Sequence, residues 1–367
     1  MSITLNGDTG ITTPMYNGTI SANAVTPSVN MKNRIINGAM VIDQRNAGAS
    51  GTAGAYTVDR WAYSASQASK GTWQQNAGSV TPPAGFTNYL GFTSSSAYSI
   101  TSTDYFDFVQ QIEGYNMADL GWGTANAKTV TLSFWVRSSL TGTFGGSLSN
   151  SAFDRSYPFS YTISSANTWE QKSVTIAGDT TGTWLTTNGK GIGVTFGMGV
   201  GSTYSGTAGS WAGTLYVSAT GATSVVGTSG ATFYITGVQL EVGSSATSFD
   251  YRQYGQELAL CQRYYSKFNS VSGNYVGFAS GYCDTTTAAF FFIQYPVGMR
   301  TNPTVTQNQT QVYSTSGYPV TSIGTGYYGG QSAAVNFNTA GTMTVGKGAV
   351  LLGNNDANAY LSLSAEL

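Results

Sequence analysis

The chain has 367 residues, above the roughly 250–300 at which a single hydrophobic core stops growing, so two domains or one large domain with extensions are expected. Charged residues make up 8%, against about 25% in an ordinary soluble domain, and the 15 basic and 16 acidic side chains are scattered to a net charge of −1, leaving no basic stripe for nucleic acid. Histidine is absent, which excludes Ser-His-Asp and Cys-His nucleophiles and His-ligated zinc.

Residues 1–32 carry one acidic and one basic side chain, Asp8 and Lys32, two prolines, Pro14 and Pro27, and scattered apolar residues. Such a segment buries too little surface to offset its own ordering entropy, so it reads as an extended arm for attachment or oligomerisation, ordered by partner chains, or as a disordered tail. No run approaches the ~20 apolar residues of a membrane span. The start MSITLNGDTG has neither a charged nor an apolar leader segment, so a soluble chain without membrane insertion is expected.

From Asn33 to residue 249, short runs of period 2 alternate with clusters of Gly, Ser, Thr and Asn. In KTVTLSFWVRSS, 128–139, Val130, Leu132, Phe134 and Val136 share one face, while Trp135 and Arg137 share the other. Tyr157, Phe159, Tyr161 and Ile163 alternate in a second strand, and Val174 and Ile176 in a third. In KGIGVTFGMGV, 190–200, Ile192, Val194, Phe196, Met198 and Val200 face one way with Gly or Thr between them. Glycine on the outer face lets something large, a ligand or another chain, approach the backbone. The run 231–243 has Phe233 and Ile235 in one phase and Val238, Leu240 and Val242 in the other, so a β-bulge at Gly237 is expected to restore a single buried face. Many short strands with turn signals predict an all-β chain with an antiparallel jelly-roll β-sandwich.

The segment 250–268 breaks this pattern: Tyr254, Leu258, Cys261, Tyr265 and Phe268 are spaced at helical intervals. They predict a short linking helix starting near Asp250, with Gln253 completing a capping box. A helix this short is marginal alone, so its stripe docks on a domain or meets its copies in an oligomer, and these five residues are candidates for an oligomer interface. Residues 269–367 read as a small C-terminal β-sandwich, in which AFFFIQYP, 289–296, is apolar on both faces and Leu361, Leu363, Ala365 and Leu367 alternate. The two cysteines, Cys261 and Cys283, lack CxxC spacing and read as buried thiols.

Three groups of stretches resemble the tail-fibre and tail-tip proteins of bacteriophages. ITLNGDTGITTP, 3–14, is similar to their virion-proximal arm, and NRIINGAMVIDQRN with YTVDRWAYS, 33–46 and 56–64, to the start of their jelly roll. The third group is VQLEVGSSATSFDYRQYGQELALCQRYYSKF, 238–268, YPVGMRTNPTV, 295–305, and LSAEL, 363–367. The resemblance implies a homotrimeric, non-enzymatic virion protein, made in the host cytoplasm. Its arm would join other tail or baseplate proteins, and its distal part would touch a bacterial surface glycan or protein. The arm is short for a shaft, so a fibre adaptor or collar without receptor contact is the alternative.

A polysaccharide depolymerase would need paired carboxylates. Asp104, Asp107 and Glu113 are the densest acidic group and read as a solvated loop edge, and Asp154 with Arg155 as a surface ion pair. No cofactor is expected; a structural Ca²⁺ would draw on Asp43 and Glu241, otherwise strand-edge carboxylates. Tyrosine suits both sugar stacking and subunit interfaces. Candidate ligand residues are Tyr313, Tyr318, Tyr327 and Tyr328, in or beside the turn-rich STSGYPVTSIGTGYYGG, 314–330, with Trp135 and Arg137 as ligand, interface or second-layer residues.

Overall fold

The computed structural model describes residues 31–52, 56–270 and 274–367, together with the backbone of two short strands, β1 (Thr4–Asn6) and β2 (Gly10–Thr12). These two pair antiparallel, and the rest of the arm expected over 1–32, with its attachment role, lies outside the described residues apart from Met31 and Lys32. The chain divides into two compact units, Met1–Lys32 and Asn33–Leu367.

The second unit begins with twelve strands: β3 (Trp61–Ala65), β4 (Gly71–Gln75), β5 (Leu90–Ser94), β6 (Tyr105–Glu113), β7 (Val130–Ser138), β8 (Gly142–Ser149), β9 (Ser156–Ile163), β10 (Glu170–Ile176), β11 (Lys190–Val200), β12 (Ser205–Gly206), β13 (Ser218–Ala219) and β14 (Thr232–Val242). Ten of them form two five-stranded antiparallel sheets, ordered β10-β7-β14-β5-β4 and β3-β6-β11-β8-β9. Setting aside the edge strands β4 and β3, the orders β10-β7-β14-β5 and β6-β11-β8-β9 are those of a jelly roll, as the alternation predicts.

The core lies between the sheets. Phe134 of β7 meets Phe196 of β11 edge to face at 5.0 Å and Tyr161 of β9 at 4.9 Å. Val130, Leu132, Val136, Ile192, Val194 and Met198 are buried beside them. Each such side chain contributes about 1.5–3 kcal/mol by leaving water. Gly237 has φ +62°, and the β14–β7 register shifts between Thr236 and Gln239, so the expected bulge is present and Val238 and Leu240 return to the core. A Cβ at Gly237 would also meet the Phe86 ring at 2.6 Å.

The helix α1 spans Tyr254–Gln262, shorter than expected: Asp250 lies before it, and Gln253 occupies the N-cap position without a side-chain cap hydrogen bond. Tyr265 and Phe268 are not helical; they belong to β15 (Tyr265–Asn269), whose backbone pairs with the C-terminal strand β23 (Tyr360–Ser364). That ladder satisfies the peptide groups a longer helix would have used. Tyr254 is 64% exposed, whereas Cys261 is fully buried with Ile36, Ile42 and Tyr264 of the same chain. The five-residue stripe expected as an oligomer interface is therefore divided between a helix and a strand, and its Cys261 is covered from within. Both cysteines are free and buried.

The remaining strands are β16 (Gly277–Cys283), β17 (Ala288–Gln294), β18 (Thr304–Asn308), β19 (Thr310–Tyr313), β20 (Gly317–Tyr328), β21 (Ser332–Thr339) and β22 (Gly348–Gly353). Here the all-β expectation takes a particular form: six strands close into a barrel, β16-β17-β21-β20-β19-β22, beside a three-stranded sheet β15-β23-β18. In β17, Ala289, Phe291 and Ile293 fill the barrel, while on the other face burial falls from Ala288 through half-buried Phe290 to Phe292, which is 61% exposed.

Within Asn33–Leu367, the segments that resemble phage tail proteins converge on one junction. Arg252 donates to the carbonyls of Asn33 and Ile35, Glu257 accepts from the backbone N–H of Asn37, and Arg263 grips Glu113 at 2.6 and 2.8 Å. Tyr264 donates to the same carboxylate at 2.6 Å. Glu366 pairs with Arg60 and, at 3.1 Å, with Arg45, and Arg300 donates to the carbonyls of Ala365 and Glu366. Among the described residues no helix is long and apolar enough to cross a membrane.

Candidate functional site

The face of the β3-β6-β11-β8-β9 sheet that turns away from the core is built in rows by strand register. Because Phe106, Phe108 and Ile112 of β6 point inward, Tyr105, Asp107, Val109 and Gln111 point outward. Asp107 stands level with Ser64 of β3 and Gly197 of β11, Val109 with Thr195, and Gln111 with Gly193, itself level with Ser149 of β8. Glycine or a small side chain at each position on β11 keeps this floor low.

The segment after β11 folds back over one end of the face. The Val217 N–H donates to the Tyr204 carbonyl at 2.7 Å, β12 pairs with β13, and the Tyr216 ring lies on Gly206, where a Cβ would approach it to 2.2 Å. Ser218 covers Gly197 and Gly145. The large neighbour expected over the outer glycines is thus in part the chain's own segment. Phe153 stands at another rim, 49% exposed and with φ +58°, in a turn held by Asn150, whose side chain accepts from the Arg155 N–H and donates to Asp154.

The result is a groove of about 280 Å³, lined by the rings of Tyr105, Phe153, Tyr204 and Tyr216 and by Asp107, Gln111, Lys190 and Thr195. Tyr105 and Tyr204 meet edge to face at 5.7 Å. Asp107 is 4% exposed, and burial pushes its carboxyl up to about 8 against the pull of Lys190. Burial likewise brings the Lys190 ammonium down to about 8, with Asp107 opposing. The Lys190 Nζ lies 3.9 Å from the Phe153 ring centroid and donates to Ser149 Oγ at 3.3 Å. Among the described residues, Asp107 and Lys190 form no direct ion pair. Nor do the side-chain polar groups of Tyr105, Asp107, Gln111, Tyr204 and Tyr216 take part in any hydrogen bond with the described residues.

The three acids expected as one loop-edge group occupy three environments. Asp104 accepts from the Thr101 N–H at 2.7 Å and from the hydroxyls of Ser66, Thr101 and Tyr98, which hold its carboxyl well below the usual range. Glu113 is buried against Arg263, and only Asp107 opens on the groove. Arg155 does not pair with Asp154 as a surface ion pair; it pairs in bidentate fashion with buried Asp179 at 2.7 and 2.8 Å. Asp43 accepts from the N–H groups of Asn46 and Gly48, and Glu241 from Gln239 and Thr247, so both carboxylates are engaged by neighbours. The described residues hold no group of three His, Cys, Asp or Glu side chains able to bind a metal.

The other candidates lie elsewhere. Trp135 and Arg137 are on the outer face of the opposite sheet, where Arg137 donates to the Asn167 carbonyl and lies 5.4 Å from the Tyr234 ring centroid, in a layer with Tyr89 and Trp169. The stretch 314–330 is largely barrel strand, not loop: Tyr318 and Tyr328 pack against the barrel core, while Tyr327 is 73% exposed. Tyr313 joins Tyr275, Gln311 and Leu352 around a second cavity of about 560 Å³. The groove residues Tyr105, Gln111, Lys190, Tyr204 and Tyr216 were not singled out by sequence. The available signal was the glycine alternation of 190–200 followed by tyrosines in a Gly- and Ser-rich stretch.

No family model and no curated protein matches the chain. Among solved structures it is similar to the enzymatically active domain of bacteriophage CBA120 tailspike protein 4, at 12% identity and a TM-score of 0.34, over 57% of this chain and only 21% of that one. It is also similar to a family 11 carbohydrate-binding module from Clostridium thermocellum, in complex with a β-1,3-1,4-mixed-linked tetrasaccharide, at 10% identity and a TM-score of 0.28 over 55% of this chain and 98% of the module. A tandem CBM22 domain from Paenibacillus barcinonensis matches at 8% identity and a TM-score of 0.24, over 87% of this chain and 97% of that one. At these identities and scores the groove is read from its own geometry.

Proposed function

We propose that this chain is a non-enzymatic glycan-binding protein that seats a sugar in the groove of the β3-β6-β11-β8-β9 sheet. The observation that carries the reading is the convergence of four aromatic rings with Asp107 and Gln111, whose side chains have no hydrogen-bond partner among the described residues. Aromatic faces stack on the C–H faces of pyranose rings, while phenol, amide and carboxylate groups match their hydroxyls. Hydrolysis by paired acids would need a second carboxylate about 5–9.5 Å from the first. Asp107 is the single acid among the lining residues.

The sequence resemblance supports placing this binding in a phage tail, with three copies joined as a homotrimer, the arm toward other tail or baseplate proteins and the groove toward a bacterial surface. Three modest sites on one assembly gain avidity without strong single contacts. The test is retention of the purified chain in native gels cast with host surface polysaccharide. Binding is expected, with polymer length unchanged, and Tyr216→Ala is expected to weaken it about tenfold, or ~1.4 kcal/mol. Absence of retention, or release of oligosaccharide, contradicts the proposal. Labelled protein added to whole host cells separates an adhesin, which binds, from a collar or adaptor, which does not.

A further inference from the structure

The groove floor holds an acid and a base that do not touch. Asp107 lies in the row of Ser64 and Gly197, and the Lys190 ammonium lies against Ser149, in the row of Gln111 and Gly193. Between these rows stand Val109 and Thr195, level with each other across β6 and β11. Asp107 is 4% exposed and has no hydrogen-bond donor among the described residues. A buried carboxylate without a donor is costly, and a cavity lined by it is suited to a group that donates to it.

Resting on the glycan-binding reading, we infer that the groove selects a neutral pyranose unit, which lies over Val109, donates a hydroxyl hydrogen to Asp107 and accepts a hydrogen bond from Lys190. A hydroxyl both donates and accepts, so one neutral ring serves both groups from opposite edges. A uronate or an amino sugar would bring a full charge into a recess where burial already disfavours the ionised forms of Asp107 and Lys190. A hydroxyl carries no such charge and meets both groups through hydrogen bonds. The directions of the two pKa shifts accord with a neutral ligand, since burial moves both groups toward their uncharged forms, which a hydroxyl can still meet by hydrogen bonds.

The test uses the full chain and measures dissociation constants for dextran, mannan, galactan and polygalacturonate at low and high salt. Asp107→Ala and Lys190→Met are compared with the parent, and folding is checked by thermal unfolding. The expected result is binding to at least one neutral polymer, little response to salt, no binding to polygalacturonate, and a loss of tenfold or more in each variant. If Asp107→Ala does not fold, Asp107→Asn replaces it, with an expected loss of about threefold because an acceptor oxygen remains. Neutral-polymer binding unchanged by both substitutions overturns this inference and leaves glycan binding standing. Salt-sensitive binding to polygalacturonate that Lys190→Met abolishes and Asp107→Ala does not also overturns it. Binding to none of the polymers overturns both readings.

Discussion

At the junction beside α1, buried charge is matched inside the chain: Glu366 by Arg60 and Arg45, Glu113 by Arg263 and Tyr264, Glu257 by Arg252 and the Asn37 N–H. In the groove, Asp107 is as deeply set and Lys190 is half-buried, and they meet neither each other nor a complete set of partners. The contrast separates two uses of charge in a chain that has little of it. The junction spends its ions on fixing the start of the jelly roll, α1 and the C-terminus against one another. The groove keeps its acid available to whatever enters.

The largest effect should come from breaking the junction. Glu366→Ala leaves Arg60, 2% exposed at its side chain, without its carboxylate, and is expected to lower stability by about 3–5 kcal/mol in denaturant unfolding. A similar loss is expected for Arg60→Met, and the two combined should cost less than the sum because they break the same pair.

The groove should answer a substitution in the opposite sense. Asp107 has its folded-state pKa raised from 3.8 to about 8, so its contribution to stability is present below pH ~4 and is lost as pH rises toward 8. Asp107→Asn is therefore expected to stabilise the chain at pH 9 by on the order of 3 kcal/mol and to change little at pH 4. Unfolding curves at the two pH values check this, and equal shifts at both would remove the distinction between groove and junction.

Smaller still, Tyr204→Ala at the groove rim should weaken sugar binding by roughly 1 kcal/mol, measured by titration, with stability nearly kept. Tyr327→Ser, on the barrel and 73% exposed, should change stability by less than ~0.5 kcal/mol and leave groove binding intact.

The jelly roll was legible because its strands are half buried, so alternation such as Val130, Leu132, Phe134 and Val136 marks one face, and Gly237 marks the break in phase of β14. The helix was legible in place but not in extent. Tyr265 and Phe268 continue the helical spacing, yet their backbone is claimed by pairing with β23, a partner about a hundred residues away in sequence. The docking of α1 rests on Glu257 and Cys261, its two buried residues, of which only Cys261 belongs to the apolar stripe. In β17, three consecutive phenylalanines hide which face is inside, and closure of the barrel decides it for Phe291.

The groove was the least legible part because no single segment contains it. Its floor is set by register among β3, β6, β11 and β8, and its rim by residues 153 and 204–217. Asp107 could be seen as an acid near Asp104 and Glu113. That it alone would face a cavity depends on Asp104 turning to the 98–101 turn and Glu113 to Arg263, partners the local sequence does not reveal.

The most direct measurement is equilibrium binding of the intact chain to a neutral surface polysaccharide, with the polymer's length followed in the same sample, for the parent and for Asp107→Ala with Tyr216→Ala. The account predicts saturable binding that the double substitution removes and a polymer that stays whole. Binding that survives the double substitution, or a polymer that shortens, would contradict it.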